Sequence, residues 1–327
     1  MGTASRMNRG RMAARPGGLP KGGWADIATR VKDEVGKDNL SMIAAGAAFY
    51  GLLAMFPAIA ALVSLYGLFT NAETVTQHVQ AVEGVLPPET RGILQEQLER
   101  VSATADQALG LGLIVALLLA VWSATKGVKS LMTALNVVYD EQEHRGFFKL
   151  NAVALLLTVA LLLVVIVALA AVALLPAVIG ALPLPAFAES LARWLRWPVL
   201  ALVAVGAMAI FYRYGPSRSP ARWGWVVYGA VIGTLLWLLG SAVFSWYVSN
   251  FGSYNETYGS VAAIAVLMVW LWLSAYFLLL GGEINAEMEH QTRRDTTAGD
   301  SQPLGRRGAY VADTVGPSRG EGTEDDR

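Results

Sequence analysis

The sequence predicts an all-α membrane protein, a bundle of six transmembrane helices with both termini on the cytoplasmic side. Three observations predict this class. Of the 327 residues, 54% are hydrophobic and only 15% are charged, whereas soluble domains carry about one charged residue in four. The deficit of charge is concentrated in long apolar segments, which is typical of membrane spans. The basic residues between those segments alternate from one loop to the next.

Six apolar segments are candidates for membrane-spanning helices, each of which needs roughly 20 residues. The second and fourth require flanking aromatic or small residues to complete a span. The first and third exceed one span, so we expect them to tilt or to extend past the membrane. The six segments cover residues 40–69, 109–124, 150–182, 197–212, 223–248 and 260–280.

Lysine and arginine concentrate in the cytoplasmic loops of membrane proteins. Of the 25 basic residues, eight precede the first segment, four follow the second, three follow the fourth and six follow the last. The alternate loops hold two, two and none. Six spans with both termini inside explain this alternation, whereas five or seven spans would not.

The polar segments divide the chain into a membrane domain, residues 24–290, and two tails. Residues 1–23 and 291–327 have no apolar periodicity, so we expect both to be disordered. Residues 24–38 repeat apolar side chains at helical spacing beside basic ones, which predicts an amphipathic helix on the inner surface. Residues 70–108 form the largest external piece, where the apolar spacing predicts two short helices.

The stretch YFLLLGGEINAE, residues 276–287, ends the last apolar segment with a carboxylate, Glu283, followed by Asn285. The position is that of the inner membrane interface, about 21 residues into the span. Glu283 is therefore either an ion-paired anchor or a gating carboxylate at the inner mouth of a pathway, and Asn285 is a second candidate gating residue. The basic residues expected at the same depth, and thus its candidate ion-pair partners, are Lys126, Lys129 and Arg213.

Other candidate residues have a structural and a functional interpretation. Pro57 interrupts the first span, either as a packing kink or as a hinge beside a cavity. Tyr258 and Gly259, in the outer loop before the last span, suit an interfacial belt and turn, or a loop that faces a ligand. Small residues predict close helix–helix contacts, at Gly46, Gly51, Gly229, Gly233, Gly240, Gly281 and Gly282.

Several kinds of site are not expected. The chain has no cysteine, and its three histidines lie far apart in sequence, so neither a thiolate nor a histidine metal centre is predicted. A net charge of zero argues against nucleic-acid binding. No span carries an ionisable residue near its midpoint, which argues against a proton pump. We therefore expect no cofactor, metal or catalytic residue.

Four stretches together resemble the YihY/BrkB family of bacterial inner-membrane proteins, formerly labelled ribonuclease BN. They are AAGAAFYGLLAMFP, ALNVVYD, YRYGPSRSPARWGWVVYGAVIGTLLW and YGSVAAIAVLMVWLWLSAYFLLLGGEINAE. Their order and spacing are similar to those of the family across residues 25–290. The chain departs from the usual family pattern in having Met55 or Ala54 where a serine is usual before Phe-Pro, and Gly282 in place of the alanine of Gly-Ala-Glu. It also lacks the proline that some members have in the last span.

The resemblance implies a six-helix multi-pass protein of the bacterial cytoplasmic membrane with both ends inside. It also implies transport or lipid-related roles, whereas the nuclease label finds no supporting acid, histidine or basic cluster in this sequence. One hypothesis is therefore a transporter or translocase of a lipid or another amphiphile. The alternative is a non-catalytic scaffold that binds an envelope partner through its outer loop or inner tail. Beyond the lipid bilayer, the candidate partners are such an amphiphile, an envelope protein or a second copy of the chain.

Overall fold

The computed structural model describes residues 9–69, 111–181, 186–250 and 260–319. The regular secondary structure of this part of the chain is helical, apart from a single bridge between Ala221 and Thr297. The helices are α1 (Lys21–Lys37), α2 (Leu40–Phe69), α3 (Leu111–Val138), α4 (Phe147–Ala181), α5 (Ala186–Tyr214), α6 (Trp223–Asn250), α7 (Ser260–His290) and the short α8 (Tyr310–Asp313). The external piece predicted over residues 70–108 lies outside the described residues.

Five of these helices are long and apolar enough to cross a membrane. The spans are residues 40–57 in α2, 147–168 in α4, 197–214 in α5, 223–250 in α6 and 262–290 in α7. They correspond to the first, third, fourth, fifth and sixth predicted segments. The second predicted segment lies in α3, and its role as a sixth span stays a prediction.

The outer surface of the bundle is strongly apolar. Large side chains are exposed on all five of these helices, as at Leu53, Leu156, Leu202, Leu239 and Ile264. A soluble protein would expose few such side chains in one continuous region. The exposed apolar surface is the one expected for helices surrounded by lipid, so the chain is a multi-pass membrane protein.

Helix α7 lies at the centre of the bundle, where it contacts α1, α2, α3, α6 and α8. Around its C-terminal half the core is tightly packed, with Leu135, Tyr212 and Leu279 almost completely buried. The hydroxyl of Tyr212 donates a hydrogen bond of 2.7 Å to the backbone carbonyl of Leu278. The last three turns of α7 therefore run through protein on several sides.

Two short turns bring the neighbouring helices to this end of α7. Asn39 joins α1 to α2 and Asp140 follows α3, and both have a φ of 52°. Asparagine and aspartate tolerate this left-handed conformation better than most residues, because their short polar side chains can hydrogen-bond locally. The two turns place acidic side chains of α1 and of the α3 terminus beside α7.

The segments that flank the helices are folded, which corrects one prediction. Residues 9–20 and 291–319, here called the terminal layer, pack on each other and on the end of α7. The amide of Arg293 donates to the carbonyl of Arg11 at 2.9 Å, and the Thr292 hydroxyl donates to the carbonyl of Ala13 at 2.8 Å. For these residues the prediction of disordered tails was wrong, because backbone and polar side-chain hydrogen bonds replace the apolar periodicity sought in the sequence.

Helix α1 begins at Lys21, close to the amphipathic helix predicted over residues 24–38. Its apolar stripe packs against other parts of the protein. Ile27 is buried in a cluster with Trp225 and Met288, and Trp24 packs against that cluster. Arg30 lies on the same face of the helix and is also buried. The stripe thus attaches α1 to α6 and α7.

Candidate functional site

Three carboxylates are buried in the last two turns of α7, at Glu283, Glu287 and Glu289. Burial of an ionised carboxylate is costly unless a cation or hydrogen-bond donors compensate for the lost water. The partner of each carboxylate therefore indicates whether the residue has a structural role or is available for chemistry.

Glu287 is neutralised by α1. The Arg30 guanidinium forms an ion pair with its carboxylate through Nε, and donates at 3.0 Å to the Glu287 backbone carbonyl through a terminal nitrogen. His290, one turn further along α7, places Nδ1 3.6 Å from the second oxygen. The ion pair of Arg30 with Glu287 accordingly attaches α1 to α7.

Glu289 is neutralised by the loop between α5 and α6. Arg218 donates to its two carboxylate oxygens at 3.2 and 2.7 Å, and both side chains are 1% exposed. The Thr296 hydroxyl adds a hydrogen bond of 2.6 Å, and the guanidinium carbon lies 5.1 Å from the Tyr139 ring centre. This bidentate, fully buried pair has the geometry of the strong class of charge-assisted hydrogen bonds.

Among the described residues, Glu283 has no such partner. Its side chain is buried, with 2% of the residue exposed, and no group in the described residues donates a hydrogen bond to its Oε2 atom. The carboxylates within electrostatic range are those of Glu287, Asp38, Glu34 and Asp140. Glu283 is therefore the one buried carboxylate of the three whose charge the described part of the protein leaves uncompensated.

The expected ion pairs of Glu283 are not formed among the described residues. Lys129 donates to Asn151 at 2.5 Å, and Lys126 lies over the Trp122 ring at 5.3 Å. Arg213 donates to the Ala221 carbonyl and covers the Trp223 ring at 4.7 Å. Sequence gives the depth of a residue along the bundle, but not the direction in which its helix face points.

Two carboxyl groups near Glu283, those of Asp38 and Asp140, lie outside the membrane-spanning segments and have raised pKa values. Burial is the main cause that raises the pKa of Asp38 from 3.8 to about 6, with Glu34 and Asp140 raising it further. Burial also raises the pKa of Asp140, partly opposed by Lys37. The electrostatic environment of Glu283 is thus an acidic cluster built by the α1–α2 junction and the end of α3.

The raised pKa of Asp38 predicts a pH-dependent stability. Ionisation of Asp38 costs more in the folded chain than in the unfolded one, so its contribution to stability falls as the pH rises from 3.8 to about 6. We expect Asp38→Asn to raise the midpoint of thermal unfolding by about 1–3 °C at pH 8. The difference from the unsubstituted protein should disappear near pH 4, and a difference that persists there would contradict the electrostatic origin.

Asn285 bridges α7 to α6. Its amide nitrogen donates to the Val226 carbonyl at 2.9 Å, and its amide oxygen accepts from the Gly229 amide at 2.9 Å. Both contacts are buried, so the side chain that was a candidate gating residue uses its hydrogen-bonding groups to hold two helices together.

The predicted glycine contacts are found on one side of the bundle. A Cβ atom on Gly233 would lie 3.3 Å from the Cα atom of Gly281, and one on Gly282 would lie 3.2 Å from Val138. Gly229 and Gly240 likewise face Asn285 and Phe277 of α7 at close range. We call the close contact of α6 with α7, at Gly229, Gly233, Gly240 and Gly281, the glycine seam.

Two other predicted glycine contacts are not found. Nothing among the described residues lies within 4 Å of a Cβ placed on Gly46 or Gly51. The close approach of α2 to α3 occurs instead at Gly127, where a Cβ would lie 3.1 Å from Ala54. In α2, unlike α6, glycine spacing therefore did not identify the face that meets a neighbour.

The remaining candidates add little to the site. Pro57 lies inside the continuous helix α2, whereas Tyr258 and Gly259 lie outside the described residues. In the part of the chain that the structure describes, no group of three or more carboxylates and histidines has the arrangement of a metal site.

The sequence did not identify Arg30 and Arg218 as partners of the buried carboxylates. An arginine within the apolar stripe of α1 was a usable signal for Arg30.

Comparison with known proteins gives a consistent family match. Residues 31–304 match the model of the family described as Virulence factor BrkB. The chain is 33% identical over 258 residues to the ribonuclease-like protein YfkH of Bacillus subtilis (strain 168), covering 73% of this chain and 86% of YfkH. It is 24% identical over 283 residues to the UPF0761 membrane protein PSHAa0171 of Pseudoalteromonas translucida, covering 84% and 88%. No solved structure matches the chain.

Proposed function

Because the chain belongs to the Virulence factor BrkB family, and because its relatives include proteins named as membrane proteins, we propose that it is a non-catalytic carrier in the bacterial cytoplasmic membrane. Helix α3 serves as the sixth span in this proposal, and both ends of the chain face the cytoplasm. The terminal layer supports this arrangement. Its two segments contact each other, so the chain between them must cross the membrane an even number of times. The richness of both segments in arginine supports the cytoplasmic side.

The proposed cargo is a lipid or another amphiphile, and the observation that carries the proposal is the uncompensated carboxylate of Glu283. An ionisable residue within a membrane segment is costly, and such residues commonly mark a substrate or ion pathway. Glu283 lies on the helix that forms the glycine seam and beside an acidic cluster. A proton or the cationic part of an amphiphile would supply the missing charge, which makes Glu283 suited to gating the inner mouth.

Transport can be tested with purified protein in vesicles that contain a labelled phospholipid, followed by quenching of the label in the outer leaflet. We expect the protein to accelerate the movement of lipid between leaflets. Glu283→Gln should slow it by about tenfold, since a hydrogen bond to a charged group is worth about 1.5–3 kcal/mol. The matched control is Asp300→Asn, which removes an exposed carboxylate of the terminal layer and should leave the rate unchanged.

The outcome separates the carrier from the scaffold. No acceleration with a broad panel of labelled lipids and amphiphiles, together with loss of a co-purifying partner on deletion of residues 72–106, would favour the scaffold. A Glu283→Gln variant with normal transport would remove the gating role but not the carrier. Reporter fusions test the topology separately, because His78 should lie on the opposite side of the membrane from both termini.

A further inference from the structure

The terminal layer and the loop between α5 and α6 line a partly open cavity of about 380 Å³, a size typical of small-molecule sites. Its wall is strongly cationic. The lining residues are Ala14, Arg222, Arg293, Arg294, Asp295, Ser301 and Arg307. Four arginines thus face one space together with one carboxylate.

The carboxylate in this wall is already satisfied. One oxygen of Asp295 accepts hydrogen bonds from the amide and hydroxyl of Thr297 at 2.9 and 2.7 Å, and the other accepts from the Gln302 amide at 2.7 Å. Arg307 lies 3.9 Å away and balances its charge. Asp295 is therefore part of the frame of the cavity and does not neutralise the other three arginines.

Arg307 belongs to the same frame. Its guanidinium donates to the backbone carbonyls of Gln302, Arg294, Ala312 and Arg293, so it is held rigidly. These bonds fix the backbone at Arg293 and Arg294, which also line the cavity. A rigid frame fixes the backbone of these two arginines before any ligand arrives, which lowers part of the entropic cost of binding.

The other three arginines have donors to spare. Arg222 donates a hydrogen bond from Nε to the Thr297 carbonyl at 2.8 Å. No group among the described residues accepts a hydrogen bond from its two terminal nitrogens. Arg293 and Arg294 are exposed, and no oxygen within the described residues accepts a hydrogen bond from either guanidinium. The cavity consequently presents three positive charges that nothing in the described chain compensates.

Two features place the cavity beside the membrane surface. Arg222 immediately precedes α6, a helix of 28 residues, whose N-terminal end carries a partial positive charge. The next residue, Trp223, is half-exposed, as is typical of an aromatic side chain at the interface between lipid and water. A ligand in the cavity would therefore meet the α6 dipole as well as the guanidinium groups.

We propose that this cavity binds an anionic phosphate group, either on a phospholipid headgroup or on a soluble phosphate compound. Guanidinium groups match phosphate oxygens through paired hydrogen bonds, and an anion of this kind would neutralise the clustered positive charge. The site lies apart from Glu283 and does not depend on the transport proposal. Phosphate binding would couple the terminal layer to the loop that carries Arg218.

The test uses the full chain in a non-ionic detergent with two probes. Inorganic phosphate is titrated by calorimetry against a chloride control, and phosphatidylglycerol is compared with phosphatidylcholine by native mass spectrometry. We expect saturable binding of at least one anionic probe, weakened by added salt. Binding of phosphatidylglycerol alone identifies a headgroup site, whereas binding of inorganic phosphate alone identifies a soluble ligand.

The combined Arg293→Gln and Arg294→Gln variant should weaken binding by about tenfold or more. Its thermal stability should not change, because both side chains are exposed. Arg222→Gln tests the opposite wall independently, and Arg306→Gln, an exposed arginine outside the lining, is the matched control. Neither anionic probe exceeding its control, or wild-type affinity in both lining variants, would overturn the proposal.

Discussion

Replacing Arg218 by leucine is expected to lower the free energy of unfolding by about 3–5 kcal/mol, more than any other single substitution proposed for this protein. The reason is the burial of its partner. Among the described residues Glu289 would keep only the hydrogen bond from Thr296, and its side chain, now 1% exposed, would lie in the interior without a cation. Thermal unfolding in mild detergent, followed by tryptophan fluorescence, and the amount of protein in the membrane should both report the loss.

Two controls isolate the buried charge as the cause. Lys37→Leu breaks a pair with Glu34 whose lysine is 67% exposed, so it should cost at most about 1 kcal/mol. Adding Glu289→Leu to Arg218→Leu removes both charges and should recover much of the lost stability. A double variant as unstable as the single one would show that packing around Tyr139, and not the unpaired carboxylate, determines the effect.

The second large effect is expected at the glycine seam. In Gly281→Ala the new Cβ atom would clash with the Tyr212 hydroxyl, and it would lie 2.9 Å from the Gly233 Cα atom and 3.0 Å from the Gly229 carbonyl oxygen. The last two neighbours are backbone of α6, so α6 must move and the bridge through Asn285 must stretch. We expect a loss of about 1–3 kcal/mol, measured as a lower unfolding midpoint.

Gly46→Ala is the matched control, because its Cβ would meet nothing among the described residues. That substitution should be neutral or should stabilise the helix by about 0.5–1 kcal/mol, since glycine loses more conformational freedom on folding. Equal destabilisation by the two substitutions would indicate that Gly46 faces a neighbour, for example a second copy of the chain.

The helical architecture was accessible from sequence because hydropathy is a one-dimensional signal. A lipid-facing segment must satisfy its backbone hydrogen bonds internally, so a long apolar run can only be a helix. The same argument fails for residues 291–319, where the stabilising groups are polar. Arg307 holds four backbone carbonyls there, and no periodic pattern records such contacts.

The candidate site was predicted only in part for a related reason. Glu283 and Asn285 could be singled out from their position after the apolar run, but their partners depend on how neighbouring helices are rotated. Arg30 reaches Glu287 from 257 positions away, and Arg218 reaches Glu289 from 71 positions away. Long-range pairing of this kind is decided by packing between helices, which a single sequence does not reveal.

The pairing of Arg30 with Glu287 has a consequence for biogenesis. During synthesis α1 leaves the ribosome well before α7, the helix to which Arg30 attaches it. At about 5–20 residues per second, the 257 intervening positions take on the order of tens of seconds. Throughout that interval a nascent amphipathic helix with an unsatisfied arginine must wait for its partner, and anionic lipid headgroups are counterions that a membrane surface offers to such a helix.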